Sequence, residues 1–143
     1  MPTVRPIEES EATGIVALIF ADIKATKKLD FIPLFWRVLA TNPDQLELMW
    51  TRLKAIMHPE SLGKTGRLDP LTREIIALAT SATNGCPYCI NSHTAAVRKL
   101  GLDIEALGEL MAIVGLFNAT NAIAEGYQIE PDVFPNRDGS PAS

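Results

Sequence analysis

The cysteine and histidine residues of this chain are few and concentrated. Both cysteines and one of the two histidines lie in the stretch NGCPYCINSH, as Cys86, Cys89 and His93. Two thiols three positions apart can form a disulfide, pass electrons or bind a metal ion. An imidazole four positions later lies one helical turn away. The stretch therefore predicts either thiol redox chemistry or metal ligation.

The cysteine stretch is predicted to open a helix. Cys86 followed by Pro87 is a typical helix start, and Gly101 is a typical stop. At about 100° per residue, Cys86, Cys89 and His93 share a sector of roughly 60° with apolar residues. We therefore expect both thiols and the imidazole to face the interior or a cleft. The helix N-terminus should favour the thiolate form of both cysteines.

A carboxylate on the preceding predicted helix is a fourth candidate. Glu74 lies between Leu71 and Leu78, beside the apolar stripe of that helix, so we expect partial shielding from water. The very short connection at Gly85 makes the two helices neighbours, which can bring Glu74 toward the cysteines. A shielded carboxyl group can hold or pass a proton near neutral pH.

The elements that position these residues are all predicted to be helices. No segment shows the two-residue alternation of a strand, so the fold class is all-α, a bundle of about six helices in a single domain, 1–143. Residues 130–143, with three prolines, are predicted to be an extended or disordered tail. The predicted helices run from about Glu9 to Leu29, from Pro33 to Ala40, from Asn42 to Met57, from Asp69 to about Asn84, from Cys86 to Leu100 and from Asp103 to about Gly126.

Composition excludes several classes of protein. With 47% apolar and 21% charged residues, the chain resembles an ordinary globular protein. A net charge of −4 argues against binding to nucleic acid. The apolar run GIVALIFA, residues 14–21, is too short to span a bilayer and follows acidic residues, so we expect no membrane association. We expect a cytoplasmic protein, in which a close cysteine pair is more often redox-active or metal-binding than a permanent crosslink.

Four positions on two helices together resemble a known family. Glu74, the CxxC pair of Cys86 and Cys89, and His93 resemble the pattern of the AhpD-like alkylhydroperoxidases, in the carboxymuconolactone decarboxylase superfamily. The stretch MAIVGLFNATNAIAEGYQI, residues 111–129, is similar to the following helix of the peroxidase-related members. The specific match covers residues 71–101, and the N-terminal part is only loosely similar.

The resemblance implies a role for each matched residue. It makes Cys89 the thiol that attacks peroxide, Cys86 the thiol that resolves the sulfenic acid, His93 the group that activates the attack, and Glu74 part of a proton relay. The N-cap position alone would instead favour Cys86 as the nucleophile. Tyr88 stands where some members have a second histidine.

The resemblance also implies partners. These are a hydroperoxide substrate, a dithiol reductant of lipoyl or thioredoxin-like type, and further copies of the chain in an intertwined homo-oligomer, a trimer or hexamer. It implies no cofactor and no metal. Gly108 and Gly115, one heptad apart, would let another helix approach closely.

Other interpretations of the same residues remain open. A structural disulfide closing so short a loop would contribute only about 2 kcal/mol. Two thiolates, an imidazole and a carboxylate could form a zinc site, although structural zinc normally serves domains without a core of their own. The alternative functions are a disulfide reductase or relay, a non-enzymatic redox-sensing helical oligomer, and a lactone decarboxylase. Decarboxylase members of the superfamily lack the cysteine pair, which counts against the last of these.

Overall fold

A computed structural model describes residues 1–141 of the chain. Within this range it contains six α-helices, two short 3-10 segments at Glu9–Glu11 and Pro59–Leu62, and no β-strand, which confirms the all-α prediction. The helices are α1 (Gly14–Lys27), α2 (Leu34–Leu39), α3 (Pro43–Met57), α4 (Pro70–Asn84), α5 (Pro87–Lys99) and α6 (Ile104–Gly126).

Two of the predicted helix starts are confirmed in atomic detail. The Asn42 side chain caps α3 by accepting a hydrogen bond from the Gln45 backbone N–H at 3.2 Å, with Pro43 at the first helical position. The Asp103 carboxylate caps α6 by accepting from the Ala106 backbone N–H at 2.8 Å. These caps satisfy backbone donors that the first turn of a helix leaves unpaired.

The predicted helix from Glu9 to Leu29 is shorter than expected. Its first turn is a separate 3-10 segment, and Ala12 and Thr13 have extended backbone dihedrals before α1 begins at Gly14. The Glu11 carboxylate accepts from the backbone N–H of Glu8 at 3.0 Å and pairs with Arg5. These contacts tie the acidic turn to the segment before it, so the acidic residues do not form the first turn of α1.

The contacts of the chain group into two compact units. The first is Met1–Pro70, and the second begins at Leu71. In the first unit, Trp36 and Trp50 meet edge to face with ring centroids 5.2 Å apart, and both are buried in its core. The other buried residues of this core are Val16, Ile19, Phe20, Ile23, Ile32, Ala40 and Leu46.

The second unit has a much smaller core. In the described part of this unit, the buried apolar side chains are Leu78 of α4, Val97 of α5 and Leu110 of α6. All four candidate site residues lie on α4, α5 or the turn between these helices. Residues 130–141 form neither helix nor strand. The predictions of a single domain and of an extended or disordered tail remain predictions, and the last two tail positions lie outside the described residues.

The helix α6 is unusually apolar and unusually exposed. Over its 23 residues it is long and apolar enough to cross a membrane, by length and composition only, and Leu110 is its buried residue. The expectation of no membrane association rests on the N-terminal apolar run and does not take α6 into account.

A carboxylate joins α1 to α3 in the first unit. Asp22 accepts a hydrogen bond from the Trp50 indole N–H at 2.7 Å and pairs with the Lys54 ammonium at 2.8 Å. Burial raises the pKa of Asp22, but the hydrogen bonds from Lys54 and Trp50 and the charge of Lys54 outweigh burial and hold this pKa below its ordinary value of 3.8. The folded state therefore favours the ionised carboxylate.

Replacing Asp22 with asparagine is expected to lower the free energy of unfolding by about 1 kcal/mol at pH 7, because a partly exposed charged hydrogen bond is lost. Folding lowers the pKa of Asp22, so its contribution to the free energy of unfolding is fully present above its unfolded-state pKa. This contribution is lost as pH falls through the folded-state pKa. Denaturant titrations followed by tryptophan fluorescence should show the difference between wild type and Asp22→Asn shrinking below about pH 4.

The matched control for this prediction is Asp132→Asn, an exposed aspartate of the C-terminal tail, which should leave the unfolding free energy unchanged. A difference between wild type and Asp22→Asn that is the same at pH 7 and pH 3 would contradict the assignment of this contribution to the ionised carboxylate.

Candidate redox site

The turn between α4 and α5 sets the position of the first cysteine. Gly85 has a φ of +66°, a left-handed conformation that favours glycine. Its N–H donates to the Ala82 carbonyl at 3.3 Å, and the N–H of Cys86 donates to the Ser81 carbonyl at 3.1 Å. This is the Schellman pattern that ends many helices, and it satisfies the last carbonyls of α4. The pattern fixes Cys86 at the point where α5 begins.

The two cysteines form a disulfide across the first turn of α5. Cys86 is the N-cap residue, Pro87 occupies the first helical position, and the Cα atoms of Cys86 and Cys89 are 5.3 Å apart. The Cys89 backbone N–H donates to the Cys86 sulfur at 3.3 Å. Both cysteines are half-buried. The pair therefore lies at the positive end of the helix dipole, where negative charge on sulfur is stabilised.

The other two candidates are joined across α4 and α5. The Nδ1 atom of His93 lies 2.6 Å from the Glu74 carboxylate oxygen Oε2. The side chains are only 27% and 13% exposed, respectively, so this contact is largely shielded from water. An ionised carboxylate can only accept a hydrogen bond, so with Glu74 ionised the Nδ1 atom is the donor in this contact. The Glu74 side chain thus contacts α5 at His93, while its expected approach to the cysteines remains a prediction.

The candidates therefore form two contact pairs in one unit. One pair is Cys86 with Cys89, and the other is Glu74 with His93. Tyr88, between the cysteines, is 42% exposed. The roles that the resemblance implies for these residues remain predictions.

Ser81 is not among the predicted site residues. This residue is buried in α4, its hydroxyl donates to the Ala77 carbonyl at 2.7 Å, and its own carbonyl accepts from the N–H of Cys86. The signal was present in the sequence, because a glycine just after a helix commonly places the next N–H on the carbonyl five residues earlier.

A groove runs along the surface between α4 and α6, with a volume of about 360 Å³. It is lined on the α4 side by Thr83 and Asn84 and on the α6 side by Phe117, Asn118 and Asn121, among others. Since consecutive Cα atoms are about 3.8 Å apart, the Cα of Asn84 lies within about 7.6 Å of the Cα of Cys86. We call this surface the α4–α6 groove.

The zinc interpretation finds no geometric support in the part of the chain described. Among residues 1–141, no three or more histidine, cysteine, aspartate or glutamate side chains are grouped so as to hold a metal ion. Both sulfurs are bonded to each other, and the Glu74 carboxylate is bonded to His93.

Fold and site together define an all-α protein with a cysteine pair at a helix N-terminus and a carboxylate–imidazole pair in the same unit. The sequence profile of the carboxymuconolactone decarboxylase family matches residues 46–129, which is more than half of the chain. The chain belongs to this family. The family resemblance predicted from four positions is thereby confirmed.

Individual relatives agree with this assignment. The crystal structure of the alkylhydroperoxidase AhpD core from Rhodospirillum rubrum has a TM-score of 0.85 to this chain, with 42% sequence identity, and the match covers 92% of this chain and 95% of that one. The alkyl hydroperoxide reductase AhpD of Solibacter usitatus is 28% identical over 80% of this chain and 60% of its own length.

A relative with a different activity in its name also matches. The (R)-2-haloacid dehalogenase of Pseudomonas putida is 30% identical over 78% of this chain, a match that covers 35% of the dehalogenase. The chain thus spans about a third to three fifths of the length of these two curated relatives.

Proposed function

We propose that this chain is a thiol-dependent peroxidase that reduces hydroperoxides through Cys86 and Cys89. The observation that carries the proposal is the disulfide at the N-terminus of α5, in the same pair of helices as the His93–Glu74 contact. A dithiol that closes to a disulfide is a two-electron reductant, which matches the two-electron reduction of a peroxide. The names of the AhpD relatives support the same reaction class.

The proposed cycle has three balanced steps. The Cys89 thiolate attacks the terminal oxygen of the hydroperoxide, the O–O bond breaks, and the alkoxide leaves as an alcohol after taking a proton. The Cys86 thiolate then attacks the sulfur of the Cys89 sulfenic acid, and hydroxide leaves as water after taking a second proton. An external dithiol reduces the disulfide by thiol–disulfide exchange and is itself oxidised.

The Glu74–His93 pair is the proposed proton handler of this cycle. His93 lies one helical turn beyond Cys89 on α5, and Glu74 holds the imidazole with its proton on Nδ1. That arrangement leaves Nε2 of a neutral imidazole as the basic nitrogen, suited to accept the Cys89 thiol proton. Glu74 then stabilises the imidazolium that forms, and the imidazolium can protonate the leaving alkoxide.

The proposed partners are a hydroperoxide and a dithiol reductant, which this chemistry requires. The family resemblance further implies that the reductant is of lipoyl or thioredoxin-like type and that copies of this chain form a trimer or hexamer. A cytoplasmic location belongs to the proposal, because a reducing compartment keeps the dithiol donor reduced.

The alternative functions differ in what they do with repeated additions of peroxide. A redox sensor is oxidised once and stops, a disulfide relay exchanges with protein disulfides without reacting rapidly with peroxide, and a peroxidase cycles as long as reductant remains. A lactone decarboxylase consumes no peroxide and requires no reducible cysteine pair.

A steady-state assay tests the proposal. Protein is mixed with excess dihydrolipoamide or reduced thioredoxin and with hydrogen peroxide, tert-butyl hydroperoxide or cumene hydroperoxide, and peroxide loss is measured against free thiols counted by mass spectrometry. We expect many moles of peroxide consumed per mole of protein, with loss of two thiols in the absence of reductant. If peroxide consumption ended at one equivalent per protein although reductant was present, the chain would be a redox sensor and not a peroxidase.

A further inference from the structure

The acidic segment before α1 is bound to two different helices of the first unit. We call this segment, residues 5–12, the acidic clasp. The Glu8 carboxylate pairs with the guanidinium group of Arg37 in α2. The Glu9 carboxylate pairs with the ammonium group of Lys24 in the last turn of α1. The clasp therefore joins two helices that each pack on α3.

The acidic clasp also has uncharged contacts, but its packing on α1 is incomplete. The Ile7 backbone N–H donates to the Arg37 carbonyl at 2.9 Å, and the half-buried side chains of Ile7 and Ala12 pack against the core of the unit. A cavity of about 410 Å³ remains between the clasp and α1. Its lining residues are Glu9, Ala12, Ala17, Phe20, Ala21 and Lys24. Because of this cavity, the ion pair of Glu9 with Lys24 carries a large part of the attachment to α1.

Ion pairs of this kind are individually weak and sensitive to salt. The side chains of Arg37 and Lys24 are 25% and 31% exposed, and those of their two glutamate partners are about half exposed. Pairs that remain open to water contribute little each, and salt shortens the range of their attraction from about 10 Å at 0.1 M to about 3 Å at 1 M. A segment attached in this way can open locally while the core of its unit stays folded.

We propose that the acidic clasp is a salt-sensitive conformational switch, which detaches from α1 and α2 while the rest of the first unit stays folded. In the closed state the clasp links the two helices and forms one wall of the cavity on α1. In the open state the basic groups of Lys24 and Arg37 are released, and the apolar wall of the cavity, which includes Phe20, is uncovered. This inference goes beyond the proposed function and does not depend on peroxide chemistry.

Amide hydrogen exchange in the full wild-type chain tests the switch. The Ile7 amide reports opening of the clasp, because its acceptor is the Arg37 carbonyl. The amide of the buried Leu46, which donates to the Asn42 carbonyl at 3.0 Å in α3, reports opening of the core. Between about 0.05 and about 0.5 M NaCl we expect the protection of Ile7, relative to a peptide of residues 1–13 at the same salt, to fall roughly threefold or more. The protection of Leu46 should not change.

Two variants that leave the sequence of the clasp unchanged separate charge from packing. Lys24→Gln and Arg37→Gln each remove one base, so each should lower the protection of Ile7 at low salt, with circular dichroism confirming that the protein is folded. In the double variant the dependence of this protection on salt should disappear, because both attractions that salt screens are absent. Arg52→Gln is the matched control, because it removes the charge of an exposed arginine of α3, and it should behave as wild type.

The second readout is cleavage by a glutamyl endopeptidase after Glu8 and Glu9, with the fragments identified by mass spectrometry. Both variants should be cut faster than wild type and Arg52→Gln at the same salt, because the protease requires an open clasp. Protection of Ile7 that is independent of salt in wild type, or unchanged in both variants, would overturn the inference. A loss of protection at Leu46 that parallels the loss at Ile7 would also overturn it, since the unit would then open as a whole.

Discussion

Replacing Cys89 with serine is expected to reduce peroxide consumption to the uncatalysed background. A serine hydroxyl is not ionised near neutral pH and lacks the nucleophilicity of a thiolate, so the O–O bond is not attacked. Serine is close in size to cysteine, and Cys89 is only half-buried, so the fold should persist. The measurement is steady-state turnover with excess dithiol, alongside circular dichroism of the variant.

Cys86→Ser is the matched variant and separates the two thiols. It should still react once with peroxide and leave a sulfenic acid on Cys89, trapped by dimedone and located by mass spectrometry. The N-cap position of Cys86 favours the opposite assignment, with Cys86 as the nucleophile, because a hydrogen bond from the Cys89 N–H would stabilise a Cys86 thiolate. A dimedone adduct on Cys86 in the Cys89→Ser variant, with none on Cys89 in Cys86→Ser, would reverse the proposed roles.

Replacing Glu74 with glutamine is expected to lower kcat/KM for hydroperoxide by roughly 10- to 100-fold without unfolding the protein. The glutamine oxygen can still accept from Nδ1 of His93, so the imidazole stays oriented, but the charge that stabilises the imidazolium is lost. The measurement is steady-state kinetics together with the pH dependence of Cys89 alkylation. The alkylation midpoint should move to higher pH.

Controls separate this role from a structural one. Glu109→Gln changes an exposed glutamate of α6 and should leave kinetics and alkylation unchanged. In His93→Asn, the further replacement of Glu74 should have little additional effect, because Glu74 acts through the imidazole. Wild-type kinetics for Glu74→Gln would show that Glu74 has a purely structural role. The same conclusion would follow if the reductions in kcat/KM from the Glu74 and His93 substitutions multiplied in the double variant.

Local sequence signals were sufficient for the helices and for the turn that carries Cys86. Proline after Asn42 and Cys86 and glycine at Gly85 act through the chain within a few residues, and their effects are confirmed in the caps and in the turn. Only Gly85 and Cys86 separate α4 from α5, so the two helices have little freedom to move apart. The contact between Glu74 and His93 is consistent with this short connection, but this particular contact was not predicted.

Apolar periodicity was less informative about which face of a helix is buried. In α1, the apolar side chains of Ile15 and Leu18 are 41% and 69% exposed, while those of Val16 and Phe20 are buried. Periodicity identifies an apolar stripe without identifying what the stripe packs against. In a chain with apolar residues on several sides of each helix, only the three-dimensional arrangement decides between them.

The hydrogen bond between Glu74 and His93 joins residues only nineteen positions apart. Bringing the ends of so short a segment together costs little chain entropy, and low contact order favours rapid folding. The whole candidate site therefore arises from one helical hairpin and can form early, before the more distant contacts of the chain are made.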